Sequence, residues 1–168
     1  MKNEVKLSYV QQQITDSLLR LMEQFPFEEI TVTQIVQNAG VGRTSFYRNY
    51  KSRKDVIYHY MMLLIKTWGK EFEAIGDPDW AGSLLRHYYK YKDFYLLLYR
   101  CGLSHYILLI IKEVVGVENE SQNVPAYMKA WFAGALFGWI EEWIRRGMHE
   151  TPEEMQALLE TKNFGHNL

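Results

Sequence analysis

The sequence predicts an all-α protein, in which an N-terminal three-helix domain is joined by one long helix to a C-terminal helical bundle. Three observations predict this fold. Apolar residues recur every three or four positions along most of the chain, whereas sustained two-residue alternation and Asn-Gly hairpin turns are absent. Ser or Thr followed three positions later by Gln or Asp marks several helix starts. With 48% hydrophobic and 15% aromatic residues, the 168-residue chain can fill a core.

The first helix is predicted over residues 9–24. Ser8 and Gln11 have the spacing of a capping box at its start, and Pro26 stops it. One apolar face is formed at spacings of four, three and four by Ile14, Leu18, Leu21 and Phe25.

Residues 31–54 have the layout of a helix-turn-helix. Thr31 and Gln34 form a second capping box, which predicts a helix that starts near Thr33. The turn Ala39-Gly40-Val41-Gly42 follows, and a steep crossing between two helices needs a glycine because one residue must take a positive φ. A second helix is predicted over residues 43–50, and Ser52 with Asp55 predicts a further helix from Arg53.

Positive charge is concentrated in this segment, although the net charge of the whole chain is -1. Five of the chain's 19 basic residues lie within twelve positions, with no acid among them before Asp55, namely Arg43, Arg48, Lys51, Arg53 and Lys54. A local excess of Arg and Lys on a small element is the electrostatic footprint of phosphate binding. A solvated helix end with ordinary surface charges is the alternative interpretation.

The helix over residues 43–50 divides its side chains by face. Phe46 is predicted to point inward with Val41, Ile35 and Val36, and Tyr50 is the candidate for the core. The other face carries a mixture of base-reading and phosphate-binding side chains of a length that fits the major groove, namely Arg43, Thr44, Ser45, Tyr47, Arg48 and Asn49.

This segment resembles the DNA-binding domain of the TetR-type transcriptional regulators. The shared pattern is a Thr-initiated helix, then Ala-Gly-Val, a short helix ending in Phe-Tyr-x-x-Tyr-Lys, then Ser-x-Lys-Asp, and it covers about 50 residues with the flanking helices. Gly42 departs from the usual Ser cap, at a cost of a few tenths of a kcal/mol. Asn49 replaces a frequent aromatic residue and could read adenine through two hydrogen bonds.

The resemblance implies binding to double-stranded DNA through a domain of residues 1–54, with a regulatory and dimerisation domain over residues 55–168. The predicted DNA contacts are Thr31, Thr33, Arg43, Thr44, Ser45, Tyr47, Arg48, Asn49, Lys51, Arg53 and Lys54.

The helix that starts at Arg53 is predicted to be long and to act as a lever between the domains. Its apolar positions repeat every three or four residues until Gly76-Asp77-Pro78, namely Ile57, Met61, Leu64, Trp68, Phe72 and Ile75. Beyond it, residues 80–98 share an apolar face with a break near Lys92-Asp93, where Asp93 is a candidate cap. Further helices are predicted over residues 103–116 and 125–147, and after Thr151, where Pro152 and Glu154 complete a start signal.

Residues 126–144 are apolar on nearly every side, so this helix must be buried on several sides. A membrane span is excluded because Lys129 and Glu141 leave eleven uninterrupted residues, and spanning takes about 20. Gly134 and Gly138 allow a second helix to approach closely, which predicts a two-fold dimer contact. In that contact, this helix and the last helix of each subunit form a four-helix bundle. The segment also resembles the short C-terminal domain of many Gram-positive TetR-type regulators. The predicted dimer residues are Trp131, Gly134, Ala135, Gly138, Trp139, Glu142, Met155, Leu158 and Leu159.

A dimer places two recognition helices about 34 Å apart, which predicts a near-palindromic operator. The resemblance further implies a small-molecule effector pocket in the second domain. Candidate lining residues are Trp68, Phe72, Tyr88, Tyr91, Tyr95, Tyr99 and Tyr106, although an aromatic stripe at helical spacing is more often core packing. Control by a protein partner is the alternative to an inducer. We expect a repressor, while an activator would leave the same marks in the sequence.

Enzymatic and cofactor functions are not expected. The chain has no nucleophile elbow, phosphate loop or dinucleotide motif, and its histidines show no metal-ligand spacing. Cys101 and His105 have the spacing of a thiol and its base, but Gly102 and a helix start near Ser104 argue against that geometry. One cysteine and an N-terminus without an apolar signal region predict a cytoplasmic protein.

Overall fold

A computed structural model describes residues 7–160 of the chain. Residues 1–6 of the first predicted domain and residues 161–168 of the second therefore lie outside the described residues. Within 7–160 the fold is all-α, as predicted, and no strand is present there. Helices α1 Tyr9–Gln24, α2 Val32–Ala39 and α3 Arg43–Asn49 form the N-terminal unit, with a 3₁₀ turn at Phe27–Glu29. The remaining helices are α4 Arg53–Ile75, α5 Trp80–Lys90, α6 Lys92–Arg100, α7 His105–Val115, α8 Asn123–Arg145 and α9 Pro152–Glu160.

The predicted capping boxes position the N-terminal helices. Ser8 and Gln11 bond each other's backbone amides at the start of α1, and Thr31 and Gln34 do the same at α2. At α4 the Ser52 hydroxyl accepts from the Asp55 amide at 3.2 Å. The Asp55 carboxylate does not complete that box, because it accepts from the Lys51 amide at 2.8 Å instead.

The N-terminal unit packs around α1, which contacts α2, α3 and α4. Ile14, Leu18 and Phe46 have no exposed surface, and these side chains hold the three helices together. The Ser17 hydroxyl lies in the same interior and donates to the Ile35 carbonyl oxygen at 2.8 Å.

α4 leaves this unit and packs against α5 and α7 of the second domain. The predicted apolar face is buried from Ile57 to Leu64 and half-buried at Trp68 and Phe72. The prediction is wrong for Ile75, which is 77% exposed because the last turn of α4 extends beyond its neighbours. The predicted break between α5 and α6 lies at Tyr91, but Asp93 is in the first turn of α6 and does not cap it.

The second domain is built on α8, which packs against α6 and α7, while α9 packs against α5. The predicted start of α9 is confirmed, since Thr151 and Glu154 bond each other's backbone amides. Among residues 7–160, no helix is both long enough and apolar enough to cross a membrane.

Candidate nucleic-acid interface and second-domain cavities

The turn between α2 and α3 is set by one left-handed residue. Gly40 has φ 66° and ψ 29°, and its amide donates to the Gln37 carbonyl oxygen at 3.3 Å. A Cβ at this position would meet no atom within 4 Å, so the backbone conformation rather than crowding favours glycine. The Val41 amide then donates to the Val36 carbonyl oxygen at 3.0 Å, which closes the end of α2 before α3 begins.

α3 presents its polar face to solvent. Arg43, Thr44 and Arg48 are exposed, and Tyr47 is 50% exposed with its ring 5.7 Å from the Arg43 guanidinium carbon. Tyr50, in contrast, is 2% exposed, and burial raises the pKa of its hydroxyl. The predicted division of the helix into a buried and a solvent face is therefore present.

Ser45 and Asn49 are half-buried on the side of this face. The Asn49 side-chain Nδ2 donates to the Ser45 carbonyl oxygen at 2.7 Å. Reading adenine through two hydrogen bonds uses this same amide group, so the hydrogen bond from Asn49 to the Ser45 carbonyl oxygen would first have to break.

The remaining predicted contacts separate into free and engaged groups. Thr33, Lys51 and Lys54 are exposed beside α3, whereas the Thr31 hydroxyl is engaged with Gln34. Arg53 turns away from solvent.

Arg53 is tied to the 3₁₀ turn of the N-terminal unit. Its guanidinium forms an ion pair with Glu28 at 2.8 Å, donates to the Ile30 carbonyl oxygen and lies 4.9 Å from the Phe27 ring centre. The sequence predicted a DNA contact here, but the structure places Arg53 as a link between α4 and the preceding turn.

The aromatic residues of the second domain do not surround one cavity. His87 is 5% exposed, and the ring centres of Trp68, Tyr88, Tyr91 and Tyr95 lie 5.2 to 6.5 Å from its own. The Tyr95 hydroxyl is 3.4 Å from His87 Nε2. Burial, reinforced by the charge of Lys90, lowers the pKa of His87 to about 4.

The other three predicted pocket residues are placed differently. Phe72 stacks on Trp68 with 5.7 Å between ring centres. Tyr99 is half-buried against the core. Tyr106 is also half-buried and lies close enough to Asp55 and Glu28 for their charges to contribute to its raised pKa, after the leading effect of burial. It therefore belongs to the junction with the N-terminal unit.

Three cavities lie near these residues. A small polar one of about 160 Å³ is lined by residues of α4 and α5, including Trp68, Ser83, His87 and Tyr91. The inner cavity, about 290 Å³, lies between α4, α5, α7 and α8 and is lined by Ile65, Trp68, Trp80, Leu84, Tyr88, Ile111, Val114, Val115, Phe132 and Leu136. The outer cavity, about 340 Å³, lies between α5, α8 and α9 and is lined by Trp80, Ala81, Leu84, Leu85, Phe132, Ala135, Leu136, Trp139, Ile140 and Leu159.

One face of α8 is exposed along most of its length. Trp131 is 69% exposed, Gly134, Ala135 and Gly138 are exposed, and Trp139 is half-buried. This exposed α8 face continues towards the N-terminus of the helix through Val124, Tyr127 and Met128.

The other predicted dimer residues have different surroundings. Leu158 and Leu159 on α9 are 47% and 41% exposed. Glu142 forms ion pairs with Arg145 and Arg146, and hydrogen bonds from these two side chains lower its pKa to about 2. Met155 is 5% exposed because α9 packs it against its own subunit, so it cannot contribute a large contact to a partner.

Comparisons with known proteins define the class. Residues 14–60 match the model of the bacterial regulatory proteins of the tetR family, and residues 79–162 match that of a transcriptional regulator C-terminal region. The chain therefore belongs to the tetR family and is a DNA-binding transcription regulator with a helix-turn-helix, not an enzyme.

Similarity to a solved structure agrees with the fold. The chain resembles the dihydroxyacetone kinase operon activator DhaS with a TM-score of 0.51 and 18% identity, over 89% of this chain and 93% of that one. No curated protein matches the chain. The described residues contain no cluster of side chains suited to a metal ion.

Sequence reasoning missed several residues that shape the second domain. The sequence pattern assigns His87 to no site, although tyrosines four and eight positions further on place it among aromatic rings. Phe132 and Leu136 were hidden within the uniformly apolar run of α8. Their role in both cavities depends on α5 packing opposite α8, which no local pattern encodes.

Proposed function

We propose that this protein is a repressor that binds a near-palindromic operator as a homodimer and is released by a small molecule in its second domain. The observation that carries the proposal is the pairing of an exposed, basic α3 with an exposed, apolar α8 face in one subunit. Each surface suits a different partner: one suits the phosphates and base edges of DNA, and the other suits a second copy of the chain.

The α3 surface is assigned to the major groove. Arg43, Thr44 and Tyr47 are exposed on a helix whose opposite side is anchored by Phe46, so base-reading groups are held on a rigid element. Lys51 and Lys54 follow α3 in the chain and are exposed. We assign them to phosphates, which fix the position of the helix without reading sequence.

The α8 face is assigned to the homodimer. Gly134 and Gly138 are inside a helix, where each glycine costs roughly 1 kcal/mol relative to alanine. A Cβ at either position would meet no atom of the subunit within 4 Å, so the subunit's own packing does not require glycine there. Close approach of a second α8 accounts for both glycines, and Trp131 beside them supplies a large apolar contact.

The dimer is tested by size and mass. We expect light scattering to give twice the subunit mass for the wild type and one subunit mass for Gly134→Leu with Gly138→Leu, because the new side chains hold the helices apart. Gly69→Leu is a matched control, since it also replaces a helical glycine with open space around it. A wild type that is monomeric at all concentrations, or a double variant that stays dimeric, would refute the assignment.

DNA binding is tested by selecting bound sequences from a random pool. We expect a near-palindrome with half-sites about one helical turn apart. If each subunit neutralises about three phosphates, log affinity should fall with log salt at a slope near -5. Arg43→Ala and Tyr47→Ala should abolish binding while circular dichroism stays unchanged, and a slope near zero would exclude the electrostatic part of the proposal.

The sign of regulation is the second point to test. Occupation of an operator blocks polymerase without any further contact, which is why we favour repression. Activation, through or under the control of a protein partner, is the alternative, and the similar solved structure carries the name of an operon activator. A reporter gene behind the selected operator decides between them, since expression falls with a repressor and rises with an activator.

A further inference from the structure

The inner and outer cavities of the second domain share one wall. Trp80, Leu84, Phe132 and Leu136 line both of them, and the rings of Trp80 and Phe132 lie 5.7 Å apart between centres. Ligand sites in proteins typically measure about 300–1,000 Å³, so each cavity is near the lower limit and both together are well within the range. One elongated molecule could therefore occupy both if the Trp80 and Phe132 rings separate.

The walls of these cavities carry no charged side chain. This contrasts with the neighbouring polar cavity, whose lining includes Glu71, Arg86 and Lys90. An ion that entered the apolar pair would lose its hydration without gaining a partner of opposite charge, which is strongly unfavourable. The two apolar cavities therefore select against charged molecules.

Tyr88 supplies a polar group to the lining of the inner cavity. Tyr88 is 3% exposed and lines this cavity, and no side chain of the described residues is placed in a hydrogen bond with its hydroxyl. Burial raises the pKa of the hydroxyl, so it stays protonated and can both donate a hydrogen bond and accept one, as from an N–H group. Tyr88 carries the only hydroxyl in the lining of this cavity, so a bound molecule with one suitable atom could form a hydrogen bond with it.

We infer that the inner and outer cavities bind an uncharged, largely apolar molecule that carries a single hydrogen-bonding group, which the Tyr88 hydroxyl recognises. The inference rests on the proposed function, because it defines the chemical class of the effector. Ile65 on α4 lines the inner cavity, and Ala135 on the exposed α8 face lines the outer one. Such a molecule would therefore contact both the helix that leads to the DNA-binding unit and the proposed dimer helix.

Charge selection is tested with two fluorescent probes that share a ring system. N-phenyl-1-naphthylamine is uncharged with one N–H group, and 8-anilino-1-naphthalenesulfonate adds a sulfonate to the same skeleton. Titration of the full chain should give saturable binding of the amine and at least tenfold weaker binding of the sulfonate. Equal affinities, or no saturable binding of the amine, would overturn the inference.

Location is tested by filling the shared wall. Leu136→Trp should weaken amine binding at least tenfold, because the indole would occupy space in both cavities. Leu109→Trp is the matched control on α7, since Leu109 is 46% exposed and lines neither cavity. Circular dichroism checks that both variants fold, and unchanged binding by a folded Leu136→Trp variant would place the probe elsewhere.

Recognition by Tyr88 is tested with a second matched pair. 1-Benzylnaphthalene replaces the probe's N–H with a methylene group, and its affinity follows from competition. Tyr88→Phe should weaken the amine roughly two- to tenfold and leave the hydrocarbon unchanged. Equal effects on both molecules would show that the Tyr88 hydroxyl forms no hydrogen bond with the N–H group of the amine.

The DNA assays are read separately from these titrations. Probe binding without any selected operator would refute the proposed function and leave the site standing. Operator binding without probe binding would refute the inferred ligand site and leave DNA binding standing.

Discussion

The N-terminal unit and the second domain use glycines and aromatic residues in different ways. Gly40 is explained within its own turn by a positive φ, and Phe46 is fully buried under α3. In the second domain, Gly134 faces open space, Trp131 is 69% exposed and Tyr88 lines a cavity. The turn glycine and the buried ring of the first unit are thus explained within that unit, whereas the second domain leaves an open glycine and an exposed ring that other molecules would cover.

The largest expected effect on the free energy of unfolding comes from removing one aromatic ring from each region. Phe46→Ala should lower the free energy of unfolding by about 3–5 kcal/mol, because it removes a fully buried ring and leaves a cavity. Chemical denaturation measures this loss, which should be the same at every protein concentration.

Trp131→Ala should act through association instead. The unfolding midpoint of the wild type should rise with protein concentration, as expected for a dimer, while that of the variant should not. If both substitutions gave losses independent of concentration, Trp131 would be a core residue of its own subunit and the contrast between the regions would fail.

The second effect concerns a buried base. Burial, and to a lesser extent the charge of Lys90, lowers the pKa of His87 from an ordinary 6.5 to about 4, so the folded domain favours the neutral ring. The unfolded chain binds the proton more readily, and the stability that His87 contributes is complete above pH 6.5 and lost as the pH falls towards 4. The expected loss is about 3 kcal/mol.

His87→Gln isolates this contribution. Carboxylates also titrate below pH 5, so the quantity of interest is the difference between wild type and variant in denaturation at each pH. The variant should lose less stability than the wild type between pH 6.5 and 4. Parallel curves for wild type and His87→Gln would show that the ring binds its proton equally well in the folded and unfolded states.

The N-terminal unit was predictable because its signals are local. The Thr31 box lies within four residues, and the positive φ of Gly40 is the conformation that a tight turn requires. Phe46 and Tyr50 were assigned to the interior from helical periodicity, and both are buried.

The second domain was less predictable because its features depend on distant packing. Met155 has the pattern of an interface residue, but α9 buries it against its own subunit. Tyr106 shares the aromatic character of the cluster, yet α7 carries it to the junction near Asp55. Periodicity identifies the apolar face of a helix but not the helix opposite, and cavities exist only between helices.

The third effect separates stability from DNA binding within α2. Thr31→Ala removes the hydroxyl that caps the helix and should cost about 1 kcal/mol in unfolding free energy. Thr33→Ala removes an exposed hydroxyl and should stay within about 0.5 kcal/mol of wild type, while weakening operator binding. A loss of stability at Thr33 equal to that at Thr31 would contradict this division.

The smallest effect distinguishes two neighbouring cations at the start of α4. Arg53 is paired with Glu28, and their side chains are 22% and 74% exposed, so Arg53→Gln should cost roughly 0.5 kcal/mol in stability, since ion pairs at a surface contribute little. Lys54 is exposed and proposed as a phosphate contact. Lys54→Gln should therefore make the salt slope of operator binding less steep by about 1 per subunit, whereas Arg53→Gln should leave the slope unchanged. A change of slope on Arg53→Gln would mean that Arg53 leaves Glu28 and binds phosphate when DNA arrives, as its place in the basic cluster first suggested.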